Sequence, residues 1–405
     1  MGLATRLASL LGAGPIPLGR KVAGAREEKS AGAPLYGGAF LLTGPGGEGR
    51  VARSFEAMAR TGFMGNPVAY RCVRMISQAA GAIPPVLLKE GRELSDHPVL
   101  RLLARPNAGE DRASLVETLC GYLLLSGDAY LEAAAPDGAV AALYGLRPDR
   151  VRAIAGRDGW PEAYEYRVGS SVRRFSAEGD DGRLAQLLHL RLFHPLSDQQ
   201  GFAPMAAAAA AVDLHNAAAD WNAALLKNSA RPSGALVYQP ADGANLSPEQ
   251  FDRLKAELET GYAGAGAAGR PMLLEGGLDW KAMALSPKDM DFMEARHGAA
   301  RDIALAFGVP PMLLGIPGDL TYANYAEANR AFYRLTVLPM IGRVMGALGT
   351  WLGGHFGDDG LELGVDLDAV EGLSVEREAL WARIAGADFL TRDEKRLAVG
   401  YGREG

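Results

Sequence analysis

The chain has 405 residues, of which 48% are apolar and 22% charged, with a formal net charge of −6. That apolar fraction excludes an unfolded polymer, and the length supports two or three domains. The acidic balance, without any dense lysine or arginine run, excludes a protein built to grip nucleic-acid phosphates, though not a surface past which DNA slides.

Residues 1 to about 60 are rich in Gly, Ala and Pro, with Gly44-Pro45-Gly46-Gly47 at the centre, and predict a flexible arm. The first residues lack a long apolar core before a cleavage site, and Arg6 spoils a myristoylation pattern, so neither export nor a lipid anchor is expected. Order is predicted from Asn66-Pro67, a cap followed by proline, with Val73, Ile76, Ala80 and Ile83 at helical spacing until Pro84-Pro85. His97 to Leu103 predicts a short helix ended by Arg105-Pro106-Asn107, and Ser114 to Ser126 a second one ended by Gly127. Strand-length runs follow at Tyr130–Ala134, Val140–Tyr144, Val151–Ile154, Tyr164–Val168 and Leu187–Leu192. The fold class is therefore α+β, predominantly helical.

From Pro204 to the breaker Arg231-Pro232-Ser233-Gly234 an alanine-loaded helix is predicted with nothing inside to stop it. Roughly 25 residues at about 1.5 Å each make a rod of some 37 Å, smooth enough to pack beside a copy of itself. Ser233 to Leu285 predicts a small α/β insert: strands at Ala235–Tyr238, Met272–Glu275 and Leu278–Met283, and a helix from Ser247 to Thr260 with the capping box Ser247-Pro248-Glu249-Gln250. A second rod starts at Ser286-Pro287-Lys288-Asp289, buries a stripe through Ile303, Ala304 and Phe307, and ends at Gly308, with Pro310-Pro311 forbidding continuation. Tyr325, Ala328, Phe332 and Leu335 mark a further helix that Pro339 kinks, and the tail beyond Gly353 turns helical near Val375–Ile384 and Arg392–Val399.

Chemical motifs are sparse. Gly264-Ala265-Gly266-Ala267-Ala268-Gly269 matches a dinucleotide fingerprint, but a helix precedes it and a strand follows, the reverse of what pyrophosphate binding needs. No Gly-Lys dipeptide occurs, so no P-loop is present, and there is no G-x-S-x-G elbow. The 6 histidines show no metal spacing, and Cys72 and Cys120 read as small core residues. No run of about 18 strongly apolar residues is apparent, so no membrane span is expected. Neither catalysis nor a cofactor nor a metal is predicted.

Several segments in order, Asn66 to Ile76, His97 to Asn107, Gly127-Asp128-Ala129-Tyr130, Leu146 to Val151, Leu188-His189-Leu190 and Ile303 to Pro311, carry a family likeness. The chain resembles the portal proteins of tailed bacteriophages in their long-tailed branch. Asp213-Leu214-His215-Asn216, Lys227 to Gly234 and Thr321-Tyr322-Ala323-Asn324 are similar to the portals of gene transfer agents and related prophages. It departs at Gly201-Phe202-Ala203-Pro204, where the family usually has a serine before the proline, so Ala203 cannot cap the helix with its side chain.

The resemblance implies the portal fold and a dodecameric ring with an axial channel at one capsid vertex. Its parts would be an N-terminal arm (1–65), wing (66–203), stem helix (204–229), clip (230–285), second stem helix (286–307), channel loop (308–322), a kinked helix of wing or crown (323–352) and a short crown or tail (353–405). Implied partners are other copies of the chain, the large terminase, a head-tail adaptor, the major capsid protein and double-stranded DNA in transit without sequence preference. Candidate channel-loop residues are Val309, Pro310, Pro311, Leu313, Leu314, Thr321 and Tyr322. Candidate stem residues facing the channel are Lys288, Arg296 and Arg301, and Tyr262, Arg270 and Trp280 are candidates for the clip's docking surface. The alternatives are another head-tail connector ring, or a dinucleotide-binding enzyme using Gly264 to Gly269.

Overall fold

A computed structural model describes residues 54–136, 138–179, 184–227, 234–238, 247–262, 278–282, 292–317 and 322–403, with 224–227, 234–238, 257–262, 278, 280–282, 292–293 and 322–323 described by their backbone alone. Order begins earlier than the sequence predicts. Ser54 caps a helix, α1 (Phe55–Ala57), that widens into a π turn over Met58–Met64. Phe55 and Met58 are buried in the main core, which fixes a stretch otherwise poor in helical pattern.

Helix α2 (Pro67–Ala82) starts as expected, with the Asn66 side chain accepting from the Val68 and Ala69 amides at 3.0 Å each. Strands β1 (Pro85–Lys89) and β2 (Arg92–Glu93) follow, then helices α3 (Pro98–Ala104) and α4 (Arg112–Ser126). Asp111 caps α4, and Gly127 ends it at φ +82°, a conformation glycine adopts without cost. Gly81 lets α2 meet α4 closely, since a Cβ there would stand 2.8 Å from the Ala113 carbonyl oxygen.

Strands β3 (Asp128–Ala134), β4 (Ala142–Leu146), β5 (Val151–Ala155), β6 (Pro161–Val168), β7 (Ser171–Ser176) and β8 (Leu187–Arg191) form two antiparallel sheets, ordered β4-β3-β8 and β5-β6-β7. The five strands predicted between Tyr130 and Leu192 are all present. Strand β7 is additional: Ser-Val-Arg-Arg-Phe-Ser buries only Phe175, so it carries almost no apolar signal and forms because β6 offers it a free edge.

The first rod is jointed. Helix α5 (Pro204–Ala207) passes through one turn residue, Ala208, into α6 (Ala209–Lys227). Ala208 has ψ −7°, yet the Val212 amide still bonds its carbonyl at 2.9 Å, so the rod bends without parting. Alanine propensity alone does not show this, because it reports no tertiary contact. Strand β9 (Gly234–Tyr238), helix α7 (Pro248–Tyr262) and strand β10 (Leu278–Ala282) make the insert; β9 and β10 pair antiparallel, Trp280 opposite Leu236, and the Ser247–Gln250 capping box forms in both directions. The predicted strand at 272–275 and the start of the second rod at 286–289 lie outside the described residues.

Helix α8 (Phe292–Phe307) is followed by α9 (Tyr322–Phe332), which runs through a π turn (Tyr333–Val337) into α10 (Leu338–His355). The joint thus falls just before Pro339, which sits harmlessly in the first turn of α10. Asn324–His355 is one helix long and apolar enough by length and composition to cross a membrane, contrary to the sequence expectation. Its stripe of Ile341, Val344, Met345, Leu348 and Leu352 is fully buried in the core with α2 and α4. Strand β11 (Leu361–Val365) returns to pair with β1, Leu363 opposite Leu87, and helices α11 (Ser374–Ala385) and α12 (Arg392–Val399) close the chain where expected. Asp368 ties the tail together: it pairs with Arg377 and accepts from the Tyr401 hydroxyl (2.8 Å) and the Trp381 indole (3.0 Å). The Arg377 guanidinium holds its carboxyl below the usual carboxylate range.

Candidate functional site

The functional candidate is the pair of rods and the features that hold them to the body. α6 and α8 pack along each other, with α8 leaning on α2 and α6 on the π turn that precedes it. Val212 and His215 of α6 and Ala299, Ile303 and Phe307 of α8 are buried.

A polar knot locks this junction. The buried Asn66, already capping α2 through its carbonyl oxygen, uses its amide nitrogen to donate to Asn216 Oδ1 at 2.8 Å and to approach His215 Nδ1 at 3.1 Å. Asn216 donates to the Thr61 carbonyl at 3.0 Å, and Arg296 of α8 reaches His215 Nε2 at 3.4 Å. One asparagine thus caps α2 and fastens the first rod to it, and the second rod joins the knot through Arg296 at His215. Burial, and then the nearby Arg296 charge, hold the His215 imidazole below its ordinary pKa, which favours the neutral ring, whose single unprotonated nitrogen accepts from one of these two donors.

A second knot fixes the base of the first rod. Asp128, at the start of β3, accepts from the Gly201 amide at 2.8 Å and contacts His189 Nε2 at 2.8 Å, with both side chains buried. His189 Nδ1 meets the Tyr164 hydroxyl at 3.2 Å, and Tyr130 stacks on the imidazole at 4.4 Å. Gly127 and Gly201 touch backbone to backbone, and a Cβ on Gly201 would collide with the Gly127 carbonyl. The segments Gly127-Asp128 and Leu188-His189-Leu190, legible only as landmarks, are therefore one joint between the β body and the rod. The Asp128 carboxylate, the His189 ring and the Tyr164 hydroxyl are thus linked in one chain of contacts, and the buried Ser126 hydroxyl beside them donates to the Asp128 carbonyl at 2.7 Å.

The second rod ends as a Schellman motif: Gly308, at φ +67°, bonds the Leu305 carbonyl at 3.0 Å and Val309 that of Ala304 at 2.9 Å. Pro311–Leu314 then make a 3-10 turn closed by Gly315 at φ +71°. Val309 is only 2% exposed and faces the core, because the position after a Schellman glycine docks back on its own helix. That removes it from any surface lining a passage. Pro310 and Pro311 are half-buried, Leu313 and Leu314 pack partly against the core, and Gly315 and Pro317 are exposed on either side of buried Ile316. Thr321 and the Tyr322 side chain lie outside the described residues.

Of the rod cations, Arg296 is engaged at His215, while exposed Arg301 donates to the Pro317 carbonyl and so braces the loop from its own helix. Lys288 lies outside the described residues, as do Arg270 and the side chains of Tyr262 and Trp280; by backbone Tyr262 ends α7 and Trp280 sits mid-β10. Gly264 to Gly269 also lie outside them, between α7 and β10, the reversed order noted above. Among the described residues no group of three His, Cys, Asp or Glu side chains is placed to hold a metal. Burial pushes the thiols of Cys72 and Cys120 up to about 12, which makes them inert.

The profile of the phage portal protein family matches residues 67–400. A chain in the neck of an empty GTA particle, computed with C6 symmetry, is 53% identical with a TM-score of 0.69, covering 91% of this chain and 97% of that one. Its counterpart in the neck of the native GTA particle, computed with C12 symmetry, is 52% identical with a TM-score of 0.66 over the same shares. An uncharacterised protein of Rickettsia bellii (strain RML369-C) is 39% identical over 83% of this chain and 86% of its own length.

Proposed function

This chain belongs to the phage portal protein family, and from that premise we propose that twelve copies form a ring at one vertex of a tailed phage or gene transfer agent capsid. The observation that carries the reading is the likeness, over nine-tenths of the chain, to a chain of the GTA neck. Identical subunits in a ring meet head to tail, each offering two different faces.

The mechanism is passage without covalent chemistry. The rods α6 and α8 are stem, the β9-α7-β10 insert is clip, and the loop from Gly315 to Tyr322 narrows the axial channel. Residues 66–203 with α10 and β11 serve as wing, and α11 and α12 as a short crown. The packaging terminase docks on the clip, through a surface that includes Tyr262, Arg270 and Trp280, and drives double-stranded DNA inward; a head-tail adaptor later takes the same surface. The major capsid protein holds the wing. A net charge of −6 suits this task, because a channel that neutralised phosphates would retain the duplex. The alternative enzyme reading gains nothing from the structure described above.

The test is to assemble heads with and without this chain and measure nuclease-protected DNA. Heads that contain the chain should fill and those lacking it stay empty; equal filling of both would refute the assignment.

A further inference from the structure

The two sheets β4-β3-β8 and β5-β6-β7 end in the outer edges of β4, β8, β5 and β7, and these edges are treated differently. On β4, the Leu143 amide donates to the Pro106 carbonyl at 2.7 Å, and the Leu143 carbonyl accepts from the Asn107 side chain at 3.0 Å. At β8, Arg343 of α10 donates to the Arg191 carbonyl at 3.1 Å, and Trp351 to the Ala185 carbonyl just before the strand at 2.8 Å. β7 carries Arg173 and Arg174, and charged side chains on an edge keep other strands from pairing there. β5 reads Val-Arg-Ala-Ile-Ala, apolar at all but one position and half-buried from Val151 to Ile154. Among the described residues no strand pairs with its outer edge. Such an edge is a template for one more strand.

The chain supplies a strand at that place. Ser54 caps α1, and α1 touches the 3-10 turn Pro148–Arg150, which runs straight into Val151 of β5. The N-terminal arm therefore meets the body beside the start of β5. Within the arm, Ala39-Phe40-Leu41-Leu42-Thr43 is an apolar run of strand length, set between Gly37-Gly38 and Gly44-Pro45-Gly46-Gly47. Residues 44–53 link it to Ser54 and extend to roughly 33 Å, about twice the ~17 Å of a five-residue strand, so the run reaches the whole edge in either direction. The likeness to the chain of the GTA neck covers 91% of the 405 residues, a span that takes in the arm from about residue 39 on even if it ends at Gly405. The run thus has a counterpart in that assembled neck.

We propose that Ala39–Thr43 joins the β5-β6-β7 sheet as a fourth strand, paired with the outer edge of β5 in the same chain. Main-chain hydrogen bonds hold it, as in other cases of strand addition. Side chains alternate along a strand, so Phe40 and Leu42 share one face. That face turns inward beside Val151 and Ala153, which pack against the cluster of Tyr130, Tyr164 and Phe175. Leu41 then lies on the outer face with Ile154. The inference concerns one chain and does not depend on the ring reading.

The experiment treats the full chain carrying Leu41→Cys with Ile154→Cys with a short bis-maleimide, followed by a denaturing gel and intact mass. The native thiols of Cys72 and Cys120, buried and protonated, stay silent. A bridge within one chain is expected, and none when Leu41→Cys is combined instead with Val172→Cys on β7. No bridge to β5, equal bridging to β7, or a bridge that joins two copies overturns the assignment. A second measurement needs no cysteine. Amides on the outer edge of β5 should exchange about tenfold more slowly in the unaltered chain than in Leu41→Pro, with β7 amides unchanged, because proline removes a ladder donor and the paired strand with it. Equal exchange at β5 in the two chains contradicts the proposal.

Discussion

The body and the rods of this molecule are held by different forces. In the body, α2, α4 and α10 surround Leu119, Leu123, Ile76 and Ile341, all fully buried, and β11 seals the sheet edge beside β1. Each such side chain contributes about 1.5–3 kcal/mol from apolar burial. The rods bury mostly alanines and a few larger groups against the body, are pinned by two polar knots, and leave leucines exposed outside. One chain therefore completes its body alone and leaves its rods unfinished, as expected of a part that is finished by its neighbours.

The contrast can be broken by mutation. Leu123→Ala should cost about 2–5 kcal/mol of chain stability, from lost burial and the cavity left behind. Urea unfolding checks this, and a loss under about 1 kcal/mol denies that α4 is the body's keystone. Asn66→Ala should cost about 2 kcal/mol, since it removes a helix cap and strands His215 and Asn216 without their donor. Asn66→Asp separates these roles: it keeps the cap acceptor but loses the amide donor, so its loss should fall between wild type and Asn66→Ala. If Asp matches wild type, the knot is not holding the rods.

The pH dependence sharpens the comparison further. His215 has a folded pKa held below its unfolded value, so the unfolded chain binds the extra proton more readily. Stability from this site is full above the ordinary histidine range, near 6.5, and is lost as pH falls through the folded value. The gap in urea midpoint between wild type and His215→Gln should shrink from pH 8 to pH 5, and a constant gap contradicts a neutral buried imidazole. The smallest effect on the chain itself is expected at Leu305→Ala, within about 0.5 kcal/mol, because the side chain touches little in a single copy. Any larger loss places Leu305 in the intramolecular core.

The sequence revealed the rods, the insert and most strands because each is written in local signals: Asn66-Pro67, Ser247 to Gln250, Gly308 before Pro310 and Pro311. It concealed whatever depends on distant residues. Strand β7 exists because β6 has an edge to offer, and the helix at 55–64 because the core takes Phe55 and Met58. The joint at Ala208 follows from contacts that alanine does not announce. At the candidate site the same division holds. His215, Asn216, Asp128 and His189 all lay in segments flagged by resemblance, yet their pairing joins positions 149 and 61 residues apart. The resemblance places Val309 in the channel loop, while the Schellman geometry that buries it follows from Gly308 and two backbone bonds.

The ring claim is tested most directly by native mass together with negative-stain images of the purified full-length protein. Particles of about twelve chains with an axial hole are expected, in keeping with the C12 symmetry of the related neck. A monomer or dimer that persists across concentrations, with no ring in any image, would contradict it.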